Sequence, residues 1–219
     1  MRAVVLRSNF TDYYDEYFDD ANSVAPLIFN RFTDQGMTRT EIFAFLERNG
    51  FTVPKHGILR NIDKWAPHLR DNQYVVVYLD ERSHRGENKL LLTVGEGLSQ
   101  HPDCLAAEFL GTDKNSGHSI RHVQVGKKFF RISLTSDDWR AGGANVKVEI
   151  IKHGEGLQTK LLYPLWAIDF VPVPYRGNQV LYAVDFSAAP KVGEYGMDVL
   201  MDGKTAAAEI KEIIVNARI

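Results

Sequence analysis

Two apolar segments near the C-terminal end each carry one aspartate, and this pair constrains the fold more than any other feature. Asp169 lies in A-I-D-F and Asp185 lies in A-V-D-F, and a turn separates the two segments. An ionised carboxylate within a sheet is costly unless it is paired, hydrogen-bonded or bound to a metal. If the segments form a hairpin, the acids are cross-strand neighbours and repel each other unless a proton or a cation lies between them.

Two explanations for these acids stay open from the residues alone. Magnesium prefers oxygen ligands and usually keeps waters and substrate phosphates in its remaining positions. Alternatively, the two acids cap strand ends or form ion pairs with arginines. The spacing does not decide between a metal site and a structural role.

The remaining pattern predicts an α+β fold with mainly antiparallel sheets and flanking helices. Thr38 and Glu41 form a T-x-x-E capping box at the start of an amphipathic helix, which Gly50 and Pro54 end. A C-terminal helix is predicted where Thr205 caps an alanine-rich segment. Valine-rich and alternating segments predict strands joined by hairpins: Y-V-V-V-Y-L-D, K-L-L-L-T-V, C-L-A-A-E-F-L-G, I-R-H-V-Q-V, F-F-R-I-S-L and N-V-K-V-E-I-I.

The composition indicates a globular protein and argues against several functional classes. Apolar residues make up 44% of the chain and charged residues 25%, with a formal net charge of -2. A nucleic-acid-binding protein typically shows a basic surface, so that class is disfavoured. The single Cys104 excludes an internal disulfide framework and a cysteine-based zinc site. No segment approaches the about 18 apolar residues of a membrane span, and no secretory signal is evident, so we predict a cytoplasmic protein without membrane association.

Basic residues beside the predicted strands are candidates for anion binding. Arg121 and Arg140 lie on and after one hairpin, and a guanidinium donates two hydrogen bonds to a phosphate at once. The loop S-H-R-G-E-N-K contains His84, Gly86 and Lys89, and such a loop can fold over phosphates through its backbone N–H groups. Each candidate has a structural alternative, since arginines also pair with nearby aspartates and one glycine is typical of a surface hairpin tip.

The order of these features resembles the ATP-grasp superfamily, and within it the branch of ribosomal-protein-modifying glutamate ligases. The resemblance begins near Thr38 with F-L-E-R-N-G-F-T-V-P-K-H-G and continues through the strand, loop and strand of Y-V-V-V-Y-L-D-E-R-S-H-R-G-E-N-K-L-L-L. It then follows E-F-L, S-I-R-H-V-Q-V-G-K-K-F-F-R-I and D-D-W-R, and ends with A-I-D-F and A-V-D-F-S-A-A-P. It implies an ATP-grasp-like nucleotide-binding module over residues 38–219, preceded by a short N-terminal extension with a strand over residues 1–37.

The resemblance also implies roles for individual residues. The expected magnesium ligands are Asp169, Asp185 and Ser187. The expected contacts to phosphates or to an acyl-phosphate intermediate are Arg121 and Arg140. The expected nucleotide-binding residues are Lys89, Glu108, Phe109, Leu110, Gly86 and His84.

The function that the resemblance implies is an ATP-dependent carboxylate–amine ligase that works through an acyl phosphate, with ATP and Mg²⁺ as cofactors. Its substrates would be a carboxylate and an amine, one of them carried by a small molecule, a peptide or a protein. Tyr78 stands where the family usually has a lysine, and Ser187 where it usually has an asparagine. These departures favour an alternative, a degenerate module that binds nucleotide, peptide or a protein partner without chemistry. A purely structural or interaction protein is a third option.

A further expectation concerns assembly. Only 37 residues precede the predicted module, fewer than the N-terminal domain of the family contains. We therefore expect a homo-oligomer or a partner subunit to complete the substrate site.

Overall fold

The computed structural model describes residues 37–82, 88–140, 146–155 and 165–187, together with residues 200, 201, 205, 208 and 209. Several predicted features lie outside these residues: the N-terminal A-V-V-L-R strand, the loop residues His84 and Gly86, and most of the C-terminal helix. None of the described helices is long and apolar enough to cross a membrane.

The described residues form two antiparallel sheets and three α-helices, which confirms the predicted α+β fold. Helices α1 to α3 span Arg39–Arg48, Ile62–Trp65 and Val94–Gln100, and a 3₁₀ turn spans Leu59–Asn61. Strands β1 to β9 span His56–Ile58, Tyr74–Tyr78, Lys89–Thr93, Leu105–Glu108, Gly117–Val125, Lys128–Ser136, Lys147–Glu155, Leu165–Tyr175 and Asn178–Ser187. The smaller sheet has the strand order β1-β4-β2-β3, and the larger sheet has the order β7-β6-β5-β8-β9.

Helix α1 begins and ends where the sequence predicts. The Thr38 hydroxyl accepts a hydrogen bond from the backbone N–H of Glu41 at 3.2 Å, and the Glu41 carboxylate accepts one from the backbone N–H of Thr38 at 2.7 Å. Gly50 follows the helix with φ of +82°, a left-handed conformation that glycine adopts without steric cost.

Helix α1 packs against both sheets. Ile42 and Leu46 are buried in a cluster with residues of the larger sheet, namely Ile120, Trp166, Ile168, Phe170, Ala183 and Phe186. Phe43 belongs to a second cluster with residues of the smaller sheet, namely Val76, Tyr78, Leu105 and Ala107. The helix therefore joins the two sheets, and its N-terminal end reaches both of them.

Helix α3 was not predicted, because the apolar run K-L-L-L-T-V was interpreted as strand throughout. The strand ends at Thr93, whose hydroxyl accepts a hydrogen bond from the N–H of Glu96 while the Glu96 carboxylate accepts one from the N–H of Thr93. This is the same T-x-x-E capping box that predicts α1. The helix packs closely on the turn beneath it, since a Cβ on Gly97 would lie 2.7 Å from Leu59 Cδ2.

The two acid-bearing segments form the predicted hairpin. Strands β8 and β9 pair antiparallel, with Asp169 directly opposite Asp185. The turn residues Arg176 and Gly177 have φ of +48° and +79°, the arrangement of a tight type I′ turn that matches the twist of the strands. The register shifts beside Asp169, so that Val184 is an extra residue on β9 next to Asp185.

Candidate functional site

Asp169 forms a two-point ion pair with Arg121. The two residues are cross-strand partners on β8 and β5. Arg121 donates from Nε to Oδ1 at 2.5 Å and from Nη2 to Oδ2 at 2.7 Å. Bidentate pairs of this kind are among the strongest hydrogen-bonded contacts of arginine. The structure therefore brings two of the predicted site residues together. Their contact is an ion pair, as expected if the aspartates pair with arginines and do not bind a metal.

Asp185 is held by a different arginine, Arg39, the first residue of α1. Arg39 Nη1 donates to Asp185 Oδ1 and to the Val184 carbonyl, each at 2.8 Å. The Arg39 side chain is 1% exposed and that of Asp185 is 36% exposed. Burial raises the pKa of the Asp185 carboxyl, but the nearby positive charges of Arg39 and Lys89 outweigh it, so the pKa lies below its ordinary value.

The smaller sheet contributes Tyr78 and Lys89, which are cross-strand partners on β2 and β3. The guanidinium carbon of Arg39 lies 5.4 Å from the centroid of the Tyr78 ring, and Lys89 Nζ lies 5.6 Å from the same centroid. Burial raises the pKa of Tyr78 to about 12, so its hydroxyl stays protonated at neutral pH. Burial, helped by the charge of Arg39, lowers the pKa of the Lys89 ammonium to about 8.

Arg140 reaches the same region from the loop after β6. Its Nη2 donates to the backbone carbonyl of Lys89 at 3.1 Å, and its Nη1 pairs with Asp138 at 2.8 Å. Its guanidinium carbon lies 4.7 Å from the centroid of the Trp139 ring. The loop from the larger sheet thus packs on the strand of the smaller sheet that carries Lys89.

In the part of the chain that the structure describes, the region between the sheets holds four cations and three carboxylates. The cation cluster consists of Arg39, Lys89, Arg121 and Arg140, and the carboxylates are those of Asp138, Asp169 and Asp185. Among the described residues, Lys89 has no acidic ion-pair partner, and Arg39 Nε is buried without a hydrogen-bond acceptor. A buried donor without an acceptor is costly. The cluster is therefore suited to an anion with several oxygens, such as a phosphate group.

The expected adenine-side residues lie at the end of β4 and just beyond it. Phe109 makes edge contacts with Tyr74 and Trp139, at centroid distances of 6.4 and 6.2 Å. The Glu108 carboxylate lies 3.0 Å from His68 Nε2, within hydrogen-bond distance. The sequence did not predict His68 as its partner. Leu110 is half-buried. Trp139 next to Arg140 connects this aromatic group to the cation cluster.

The predicted magnesium ligands are Asp169, Asp185 and Ser187, and only some of their oxygens are available to bind an ion. Both oxygens of Asp169 accept from Arg121, whereas Asp185 uses Oδ1 for Arg39 and for the N–H of Phe186. Asp185 Oδ2 has no partner among the described residues, and Ser187 lies two positions further on the same face of β9. No group of three or more His, Cys, Asp or Glu side chains suited to a metal occurs among the described residues. These oxygens would hold a magnesium ion only if other groups, such as phosphates, supplied most of its ligands.

Sequence reasoning missed Arg39 as a site residue and treated Tyr78 only as a departure from the family pattern. One signal for Arg39 was available. A cation in the first turn of a helix lies at the positive end of the helix dipole, so an arginine there is unfavourable without an acidic partner. The partner, Asp185, is 146 positions away in the chain, and no local pattern indicates it.

Comparison with solved structures identifies the class of fold. The chain superposes on a Chryseobacterium gregarium RiPP-associated ATP-grasp ligase in complex with ADP and a leader and core peptide, with a TM-score of 0.51 and 15% sequence identity. It also superposes on the ATP-grasp ligase PsnB complexed with a minimal precursor, with a TM-score of 0.50 and 11% identity. The matches cover 81% and 79% of this chain but only 59% and 58% of those chains.

These similarities show that the chain has the ATP-grasp fold, as the order of its motifs predicts. Its neighbours of this fold include RiPP-associated ligases. No protein-family model matches the sequence, and no curated protein matches it either. The division into residues 1–37 and 38–219 stays a prediction.

Proposed function

We propose that this chain binds ATP between its two sheets and uses it to join a carboxylate to an amine. The observation that supports this proposal most directly is the cation cluster of the described residues, where the two sheets of an ATP-grasp fold approach each other. Its members come from four different segments: Arg39 from α1, Lys89 from β3, Arg121 from β5 and Arg140 from the loop after β6. Three of the four are also paired with carboxylates, so the phosphates of ATP would share these cations with Asp138, Asp169 and Asp185.

In the proposed reaction, a carboxylate oxygen of the substrate attacks the γ-phosphorus of ATP. The bond from the γ-phosphorus to the bridging oxygen breaks, and ADP leaves with that electron pair. The neutral amine then attacks the acyl carbon to form the C–N bond. The bond from the acyl carbon to the phosphate oxygen breaks, phosphate leaves with that electron pair, and the nitrogen releases a proton to the departing phosphate or to water. Phosphoryl transfer depends mainly on positioning and on stabilisation of charge by fixed cations.

The arginines suit this role because their geometry is already fixed. Asp169 orients Arg121 through two hydrogen bonds, and Asp138 orients Arg140 through one. A guanidinium held in this way loses little conformational freedom when a phosphate binds. We assign both arginines to the phosphates or to the acyl phosphate, as the sequence predicts.

The proposal includes a magnesium ion bound by the phosphates and by Asp185 Oδ2, with Ser187 beside it. When bound, the ion would offset the negative charge of the phosphates. Asp169 joins the ligand set only if Arg121 turns from it towards a phosphate.

A peptide is the substrate that we favour. The two structural neighbours described above hold a precursor peptide, or a leader and core peptide. Because the chain spans less than two thirds of those proteins, their substrates come to this chain only as a proposal. Association with a second copy or a partner subunit likewise remains a prediction.

A nucleotide-binding module without chemistry is the second candidate. The engagement of both Asp169 oxygens by Arg121 favours it, since this removes one predicted metal ligand. The presence of Tyr78 at the end of β2 favours it as well, because that position then provides no cation.

Two measurements test the proposal in order. Calorimetric titration with ATP, in the presence of Mg²⁺ and then of EDTA, tests for nucleotide binding; no heat under either condition would exclude both candidates. Release of ADP and phosphate on addition of candidate carboxylate and amine mixtures, including peptides, then separates the ligase from the binding module. Binding of ATP with no turnover for any mixture would favour the second candidate.

A further inference from the structure

The ring of Tyr78 contacts two members of the cation cluster. Its ring centroid is 5.4 Å from the guanidinium carbon of Arg39 and 5.6 Å from Lys89 Nζ. Both distances are within the range of about 6 Å in which the negative face of an aromatic ring attracts a cation. One ring therefore contacts cations that come from two different elements, α1 and β3.

The ring itself is firmly placed. Tyr78 is 7% exposed and belongs to the apolar cluster of the smaller sheet. The Phe43 ring meets it at a centroid distance of 6.3 Å in an edge-to-face arrangement. Lys89 lies directly opposite on the neighbouring strand, so the backbone fixes the starting point of its side chain.

Two cations close together repel each other unless something attracts both. Arg39 has Asp185 as an ion-pair partner, whereas Lys89 has no acidic partner of that kind among the described residues. Asp185 attracts both of them electrostatically, and the centroid of the Tyr78 ring lies 5.4 and 5.6 Å from the two cations. The Tyr78 hydroxyl stays protonated, so it adds no negative charge of its own.

We propose that Tyr78 is a positioning residue for nucleotide binding, the aromatic platform that holds the side chains of Arg39 and Lys89 in place for the phosphates. This inference rests on the proposed nucleotide-binding function and assigns a role to the residue that departs from the family pattern. The end of β2 supplies a π surface in place of a cation, and the cation comes from the strand opposite. The hydroxyl has no part in the role.

The test lowers the electron density on the face of the aromatic ring at position 78 and keeps the shape of the ring nearly unchanged. Phenylalanine, 4-fluoro-, 3,5-difluoro- and 3,4,5-trifluorophenylalanine are placed at position 78, and ATP affinity is measured by calorimetry for each. Fluorine withdraws electron density from the ring face and weakens its attraction for cations. We expect affinity to fall stepwise along the series, by on the order of tenfold between the Tyr78→Phe variant, which is the reference, and the trifluoro ring.

A double-mutant cycle gives a second measurement, the coupling between position 78 and Lys89 in ATP affinity. A purely structural role of the ring would not produce this coupling. Lys89→Met is introduced into the unaltered protein and into the trifluoro variant. If the ring positions Lys89, loss of the ammonium weakens ATP binding less in the trifluoro variant, because the lysine there is already poorly placed. Thermal unfolding of each protein reports whether the fold is retained.

The outcomes separate this inference from the proposed function. Equal ATP affinity across the fluorinated series, or an equal loss from Lys89→Met in both backgrounds, would overturn the role of Tyr78 and leave nucleotide binding intact. Failure of the unaltered protein to bind ATP would overturn both. A stepwise fall with unequal Lys89→Met effects supports the inference.

Discussion

Tyr78 and Lys89 face each other across the β2–β3 pair, and the Lys89 ammonium lies 5.6 Å from the centre of the Tyr78 ring. The resemblance to ATP-grasp proteins implies a lysine at the position of Tyr78, and Lys89 could substitute for it only if the backbone brings the two positions together. The register does so, because the Cα positions of Tyr78 and Lys89 are paired. A cation is thus available at this place in the cleft, although the neighbouring strand provides it.

Lys89 gives nucleotide binding a pH dependence in the alkaline range. Its pKa of about 8 means that the nucleotide-free protein loses this charge as pH rises through 8, and a bound phosphate favours the protonated form. We expect ATP affinity to be about tenfold lower at pH 9 than at pH 7. Lys89→Arg should remove the dependence, because arginine stays charged throughout this range. A Lys89→Arg protein with the same pH profile as the unaltered protein would contradict this assignment.

Arg140 is expected to act in the transferring step of the proposed reaction. Replacing it with alanine should lower turnover on the order of 10²-fold, since a fixed cation near the transferring group is lost. Arg60→Ala is a matched control, because Arg60 forms an exposed ion pair with Asp103 and lies outside the cation cluster. Steady-state rates of ADP formation measure both variants. Unchanged turnover in Arg140→Ala would remove this residue from the mechanism.

Asp185 should make nucleotide binding responsive to magnesium. In the unaltered protein we expect Mg²⁺ to strengthen ATP binding relative to EDTA, because Asp185 Oδ2 would hold an ion that offsets the charge of the phosphates. Asp185→Asn should lose most of that difference, and Ser187→Ala a smaller part of it. Calorimetry in the two conditions measures the ratio for each protein. If Asp185→Asn keeps the full magnesium effect, the ion is bound elsewhere.

The Arg39–Asp185 pair should be asymmetric in its contribution to stability. Asp185→Asn leaves a fully buried guanidinium without its charged partner, and we expect a loss of about 3 kcal/mol in the free energy of unfolding. Arg39→Met leaves a carboxylate that is 36% exposed and can be hydrated, so the loss should be smaller. Urea denaturation gives both values. A larger loss for Arg39→Met would show that packing of the arginine stem outweighs its charge.

Local patterns predict the elements that carry the site. The capping box of Thr38 and Glu41 places α1, and the two acid-bearing segments place Asp169 opposite Asp185. Both predictions rest on interactions between residues close in sequence or on strands joined by a single turn. A capping box of the same kind, formed by Thr93 and Glu96, marks the start of α3. The apolar run before it predicts a strand that continues through Val94, and this strand prediction conflicts with the helix.

Local patterns of this kind do not predict which residues form ion pairs with each other. Arg121 is 48 positions from Asp169, and Arg39 is 146 positions from Asp185. Which arginine pairs with which aspartate depends on how α1 packs between the sheets and on the order of the strands. The sequence offers both a metal site and an ion-pair site for these acids, and the structure shows the ion pairs.

Consecutive residues of α1 belong to different cores, with Ile42 in the cluster of the larger sheet and Phe43 in that of the smaller sheet. A change in the position of α1 relative to either sheet would therefore disturb one of the two clusters. Arg39, in the first turn of this helix, contacts Tyr78 of the smaller sheet and Asp185 of the larger sheet. The packing of one helix thus sets the distance between two residues that no strand pairing connects.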